Sequence, residues 1–484
     1  SMQEAQMRTF SNFAWMFLRT EGDYNFSSGS RGRGNLSSTA NPYFLFPQIY
    51  NFRYNIYSSE WPVANRAIEL YLQKKSENEG WERQINGLSN NEKANLLLEK
   101  HTFKELLADV EQRNLQNNIV GLEASRLFAR SEINMGVDAF RDSLYAMLKR
   151  NTFLNIKFEN MLDTLGEMSR TDLYSYLKEW EQLTPLPFYS IGEPELTKVV
   201  NKGGEEFFVL KVLVSNNSDY DGIIQMNVLQ NGWWYQPMED PRARKKVEIA
   251  AHTSKEFVSV WEEQIRDVEI NTMVSGNLPY MIRQSIGNVK QERNKIVKDT
   301  IYTLPESSLE MPGEVIVDNE DSTLFVLSTP AVVGLLPKWL DKVEDTSFKY
   351  SGISWWRAPL QWTATTNAKY YGKYIRSAYV IKSGDGSQTA TWKIPVPEAG
   401  QYELYYHVFK DDELRWNNNL QGEYHFKVKY DSEMEDAYIN LRKANEGWEQ
   451  LGTYYFSADT VRVVLTDECK LRSVTADAVK IVKR

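Results

Sequence analysis

The sequence predicts a multidomain α + β protein, an α-helical N-terminal domain followed by two β-sandwich domains. Three observations carry that expectation. A chain of 484 residues exceeds what one hydrophobic core usually serves. Residues 63–184 hold no proline, whereas 13 of the 16 prolines follow Thr184, so a helix-compatible segment gives way to strands and turns. The apolar spacing changes at the same place, from every third or fourth residue to every second. The expected boundaries are 1–190 for the helical domain, 191–303 for the first β domain, 304–345 for a connector and 346–484 for the last β domain.

In the first domain, Thr102 to Glu105 reads as a capping box ahead of an apolar stripe of Phe103, Leu106, Leu107 and Val110. Val137, Phe140, Leu144 and Leu148 form a second stripe at helical spacing. Phe158, Met161, Leu162 and Leu165 form a third after Asn155, and Leu173, Leu177 and Trp180 a fourth after Thr171 and Asp172. Upstream, residues 35–72 are dense in aromatics. Tyr43, Tyr50, Tyr54, Tyr57 and Trp61 could wall a cleft, but packing between bundle and neighbour accounts better for rings spaced by Pro47 and Pro62.

From Lys198 the period becomes two. Phe207, Val209, Lys211 and Leu213 alternate with Phe208, Leu210, Val212 and Val214, both sets mostly apolar, as in a strand covered on both faces. Further strands at 223–228, 247–249, 258–261 and 268–272 are spaced as in an immunoglobulin-like domain. The basic run RARKK from Arg242 reads as a solvated hairpin edge. In the connector, DNEDST from Asp318 lacks the glycine and distal glutamate of an EF-hand loop, so no calcium site is expected there.

The last domain has the most regular pattern. Val461, Val463 and Leu465 alternate with Arg462, Val464 and Thr466, and Val479 and Ile481 begin a second strand across a polar connection, with a turn at Glu446-Gly447. The runs GWEQLGTYYFSADTVRVVLTD and ADAVKIV, with YGKYIRSAYV from Tyr371, ATWKIPVPEAGQYELYYHV from Ala390 and GEYHFKVKYD from Gly422, resemble the golvesin C-terminal-like module, related to the terminal domain of bacterial xanthan lyases. The resemblance implies a galactose-binding-like jelly-roll sandwich, an accessory domain that binds carbohydrate or another surface partner, with no catalytic residue.

A second resemblance covers Gly121 to Trp180. The run GLEASRLFARSEINMGVDAFRDSLYAMLKRNTF followed by NIKFENMLDTLGEMSRTDLYSYLKEW is similar to the end of the catalytic domain of gluzincin aminopeptidases. Their chemistry needs two histidines one helical turn apart, a glutamate base between them and a third ligand, because catalytic zinc takes three protein ligands and one open position. His101, His252, His407 and His425 are the four histidines here, and none belongs to an H-E-x-x-H. Asn118 also stands where the resemblance puts a tyrosine. A pseudoenzyme with no metal and no cofactor is therefore expected. The rival reading places the zinc motif outside this chain, and a third makes the domains structural spacers of a membrane-attached parent.

The composition narrows the partners. With 65 acidic against 56 basic residues the net charge is -9, which argues against nucleic acid, since no Lys/Arg cluster stands out to neutralise phosphates. Cys469 is the only cysteine, so no intramolecular disulfide forms. No apolar run approaches the roughly 18 residues of a membrane span. Ser1 before Met2 reads as a cloning remnant, and the chain as part of a longer exported protein, extracytoplasmic in the periplasm or at the cell surface.

The expected partner is carbohydrate or an envelope protein. Seven of 14 tryptophans and 13 of 27 tyrosines lie in the last 146 residues. Trp392 and Trp448 are expected in the core. Trp355, Trp356, Trp362 and Trp416 lie in less regular stretches, and the loop DDELRWNNN from Asp411 sets Trp416 beside Arg415, Asn417 and Asn418. Rings stack on the apolar faces of sugars while such polar groups hydrogen-bond hydroxyls. His407 and His425, at matching parity on neighbouring strands, read as exposed sheet histidines.

Overall fold

A computed structural model describes residues 54–72, 79–151, 154–183, 185–200, 203–229, 240–287, 289–293, 297–307, 309, 313–328, 348–353, 358–410, 422–431 and 433–484. Tyr43 and Tyr50 lie outside them. The helical unit contains α1 (Ala64–Leu72), α2 (Glu79–Asn86), α3 (Asn90–Leu98), α4 (Phe103–Ala108), α5 (Gln116–Met135), α6 (Val137–Arg150), α7 (Phe158–Ser169) and α8 (Leu173–Lys178). Two short strands, β1 (Tyr54–Tyr57) and β2 (Leu154–Lys157), pair in parallel. Asn155 therefore sits in a strand, and α7 starts at Phe158.

Capping fixes where α3 and α4 begin. Ser89 and Glu92 form one capping box, and Thr102 and Glu105 the other. The α4 stripe ends sooner than its spacing suggests. Phe103 and Leu106 are buried, but Asp109 is extended and Val110 is exposed. The other three stripes are buried and all but Val137 meet in one core, where Trp180 packs on Trp61 at 5.2 Å and Phe103 at 4.7 Å. Trp61 is thus a core ring rather than a cleft wall.

The central unit comprises β3 (Tyr189–Ile191), β4 (Glu195–Val200), β5 (Glu206–Asn216), β6 (Gly222–Leu229), β7 (Arg244–Ile249), β8 (Thr253–Trp261), β9 (Asp267–Asn271), β10 (Met281–Ser285), β11 (Val289–Arg293) and β12 (Thr300–Pro305). One sheet has the order β10-β9-β6-β7 and the other β11-β4-β5-β8-β12. Leu210, Val212 and Val214 of β5 meet Ile224, Met226, Val268 and Ile270 in a shared core. Val209 on the opposite face of β5 packs with Val199 and Val258, which explains the doubly apolar pattern.

The basic run has a different role from the solvated edge expected of it. Strand β7 is an edge strand, and α5 and α6 cover it. Lys246 forms a buried ion pair with Glu132, which also accepts the Tyr71 hydroxyl at 2.8 Å. Arg244 reaches Asp138 at 3.5 Å, and Glu248 binds Arg130. Helix carboxylates and strand cations together close an edge that would otherwise be open to strand addition.

The C-terminal unit contains β13 (Glu314–Val317), β14 (Phe325–Leu327), β15 (Thr363–Thr366), β16 (Ser377–Lys382), β17 (Thr389–Pro395), β18 (Gly400–Val408), β19 (Glu423–Tyr430), β20 (Glu433–Asn440), β21 (Gly447–Phe456), β22 (Thr460–Thr466), β23 (Ser473–Ala476) and β24 (Val479–Lys483). Sheets β13-β24-β18-β21 and β14-β17-β22-β19-β20 enclose one core, with β15-β16-β23 beside them. Trp392, Phe426, Val463 and Leu465 face Leu404, Tyr406 and Ile481 across it. The two strands read at the chain's end lie in different sheets, because β23 intervenes between them.

The expected connector is also corrected. Residues 314–328 supply two strands to this unit, β13 on β24 and β14 on β17, burying Val317 and Phe325. The units meet through buried contacts. Leu88 of the helical unit, Leu278 of the central unit, and Tyr350 and Ala364 of the last form one apolar cluster. Near Pro185 the chain is equally well packed, for Leu186 joins the helical core and the Phe188 ring lies where Gly276 has no side chain.

A fragment beginning at residue 313 is therefore expected to fold cooperatively, and one beginning at residue 346 to lose both pairings. Loss of the Phe325 ring alone costs about 3–5 kcal/mol. Thermal melts of the two fragments check this, and equal midpoints would show that β13 and β14 are dispensable.

Candidate functional site

Strand β18 separates core from surface by its two-residue period. Tyr402, Leu404, Tyr406 and Val408 point inward, while Glu403, Tyr405 and His407 point outward. The neighbouring strands set Trp448 of β21 opposite His407 and Lys480 of β24 opposite Tyr405. Tyr371, on the segment before β16, completes the group. Its ring lies 5.0 Å from Trp448 and 5.8 Å from His407, and His407 and Trp448 meet edge to face at 5.1 Å.

Charge is held close to these rings. The Lys480 ammonium lies 4.8 Å from the Trp448 ring centre and 5.4 Å from that of Tyr405, and it pairs with Glu314 of β13 at 2.8 Å. Behind the face, the fully buried Asp477 carboxylate contacts His407 Nδ1 at 2.8 Å and accepts the Tyr371 backbone N–H, with both oxygens at 3.2 Å. The Asp477 carbonyl accepts the indole N–H of the core residue Trp392 at 3.2 Å. Burial raises the Asp477 pKa, against the opposing pull of His407, the Tyr371 N–H and Arg376. One buried residue thus ties the surface aromatics to the core.

The Tyr371 and Trp448 rings are half-exposed and can stack on an apolar surface, while Lys480, Glu314 and His407 beside them are largely buried and paired, Lys480 with Glu314 and His407 with Asp477. Among the described residues, no group of three or more His, Cys, Asp or Glu side chains could hold a metal.

The sequence-based candidates are distributed differently. Trp355, Trp356, Arg415, Trp416, Asn417 and Asn418 lie outside the described residues. Trp362 is half-buried against the sandwich core, and its indole N–H is buried without a partner. Trp448, expected in the core, is on the outward face instead, because its register partner is the outward His407. His425 does not neighbour His407. It lies on the other main sheet, between Asp436 at 2.7 Å and Glu468 at 3.2 Å, and stacks on Tyr438. Tyr371, Tyr405 and Lys480 were missed as site residues, although the alternation around Tyr405 and Lys480 was a usable signal.

Residues 356–483 match the golvesin C-terminal domain. Comparison with curated proteins gave no match. Among solved structures, the chain is similar to a Paenibacillus xanthan lyase at 16% identity and TM-score 0.25, over 62% of this chain and 27% of that one. It therefore spans about a quarter of the lyase's length. A CBM35 from Cellvibrio japonicus Abf62 is 10% identical with TM-score 0.17, over 23% of this chain and 75% of that one. Legionella pneumophila aminopeptidase A, in complex with aspartic acid, is 15% identical with TM-score 0.19, over 37% of this chain and 18% of that one.

A raised folded-state pKa means that the native protein holds the Asp477 proton to higher pH than the unfolded chain does. This group's contribution to stability therefore falls as pH rises from about 3.8, the ordinary aspartate value, through the raised folded value. Urea melts across that window should show the decline in the wild type and a shallower slope in Asp477→Asn. Identical slopes would mean that Asp477 titrates normally.

Proposed function

We propose that this is a non-catalytic, extracytoplasmic binding protein whose C-terminal unit holds carbohydrate on the Tyr371, His407, Trp448 and Lys480 face. The observation that carries the reading is a pair of half-exposed rings 5.0 Å apart, bordered by ionic groups, on the unit that matches the golvesin C-terminal domain. Sugars present apolar C–H faces edged with hydroxyls, and this surface offers the complementary arrangement. In this reading the unit is a galactose-binding-like jelly roll, and the central unit is immunoglobulin-like. The helical unit is an aminopeptidase-like scaffold with a structural role. Its Asn118 donates to Asn91 at 2.8 Å, and Asn91 donates to Tyr280 of the central unit at 3.2 Å.

Other features agree with this assignment. No helix among the described residues is long and apolar enough to cross a membrane. The acidic net charge suits neutral or hydroxyl-rich partners better than polyphosphates.

A glycan array on the full chain, followed by calorimetry, tests the proposal. Trp448→Ala and Tyr371→Ala should each weaken binding of an array hit about ten- to a hundredfold, as loss of a central aromatic does at binding surfaces. Trp416→Ala tests the polar run of residues 411–419 in parallel. An array with no glycan bound would overturn the carbohydrate assignment and leave an envelope protein as the partner. Unchanged affinity in both face variants, with a loss in Trp416→Ala, would move the site to residues 411–419.

A further inference from the structure

A cavity of about 230 Å³ lies between the helical and central units, far in sequence from the aromatic face. Its size falls just below the usual range of small-molecule sites. Leu127 and Trp180 form its helical wall, Leu186 and Pro187 its edge, and Ile223 and Val274 its β wall. The β wall is closely fitted. A Cβ at Gly222 would lie 1.9 Å from the Tyr189 hydroxyl and 2.6 Å from Pro187, so only glycine lets β6 begin there.

The charges facing this apolar space do not balance. Arg126 is shared between two carboxylates, Glu179 at 2.8 Å and Glu123 at 3.5 Å. The Glu123 side chain is only 4% exposed. Asp221 adds a third carboxylate to the lining. Arg130 lines the same space, but Glu248 takes its guanidinium, which also lies over the Tyr176 ring at 4.2 Å. Three carboxylates line the cavity against two arginines, one of which Glu248 already takes from outside the lining; Glu123 is the buried one, beside apolar walls where a carboxylate is poorly solvated, while Glu179 and Asp221 reach solvent. Burial accordingly raises the Glu123 pKa despite Arg126, and Glu179 pushes in the same direction. A ligand that brings positive charge into this space relieves the imbalance, and one with an apolar body also fills the walls.

We propose that this cavity binds a small organic cation, an ammonium or guanidinium group on an apolar body, with the cation seated against Glu123 and Glu179. The full chain can be titrated by calorimetry with 2-phenylethylammonium, and with 3-phenylpropionate as an anion of similar shape. The ammonium should bind saturably and the carboxylate about tenfold more weakly or not at all. Glu123→Gln should weaken ammonium binding about tenfold, the size of one charge-assisted contact. Ile223→Trp, which fills the cavity from the central unit and leaves every charge in place, should abolish binding and keeps the test open if Glu123→Gln fails to fold. Absence of saturable ammonium binding, equal binding of the two probes, or unchanged affinity in either folded variant would overturn the proposal.

Discussion

The seating of the C-terminal unit on the helical unit depends on one close backbone contact, where the turn after α2 meets the segment ahead of β15. Gly87 adopts φ +79°, and a Cβ there would lie 2.4 Å from the Ser351 carbonyl carbon. Gly352 is as tightly placed, since a Cβ on it would come within 1.8 Å of the Ile85 carbonyl oxygen. Two glycines thus let two backbone segments touch where no side chain fits. Thr366 closes the contact by donating to the Gly87 carbonyl at 2.8 Å. Around it, Leu88, Leu278, Tyr350 and Ala364 exclude water, and each large side chain so buried is worth about 1.5–3 kcal/mol.

That junction also reaches the aromatic face. Leu278 of the central unit donates its N–H to the Tyr374 carbonyl at 3.0 Å and accepts the Arg376 N–H at 2.6 Å. The segment gripped in this way is the one that carries Tyr371, whose own N–H is held by Asp477. Tyr371 is therefore positioned from two sides, by the central unit and by the sandwich core. A loop ring with both anchors loses little conformational freedom when a ligand arrives, which favours binding. The central unit is then part of the support of this face.

Local patterns were legible in the sequence wherever a single element decides the outcome. Thr102 caps α4 through Glu105, and the alternation of Val461, Val463 and Leu465 marks β22, because a cap or a pleat needs only its own few residues. What escaped depends on partners far away in the chain. Val315 and Val317 look like connector until β24, more than 150 residues later, is there to pair with them. The RARKK run looks solvated until Glu132 and Asp138 are brought against it. Trp448 shows the same limit at the site. Its place in a motif says that it matters, but only its register with His407 says which face it occupies.

Amide hydrogen exchange on the full chain is the most direct test that the central unit holds the site. If the grip on the Tyr371 segment is real, the amides of Leu278, Tyr371 and Arg376 should be protected about as well as those of β18, opening only when the sandwich itself opens. Exchange of these three amides at the rate of exposed loop amides, with β18 still protected, would show that the central unit does not position the aromatic face.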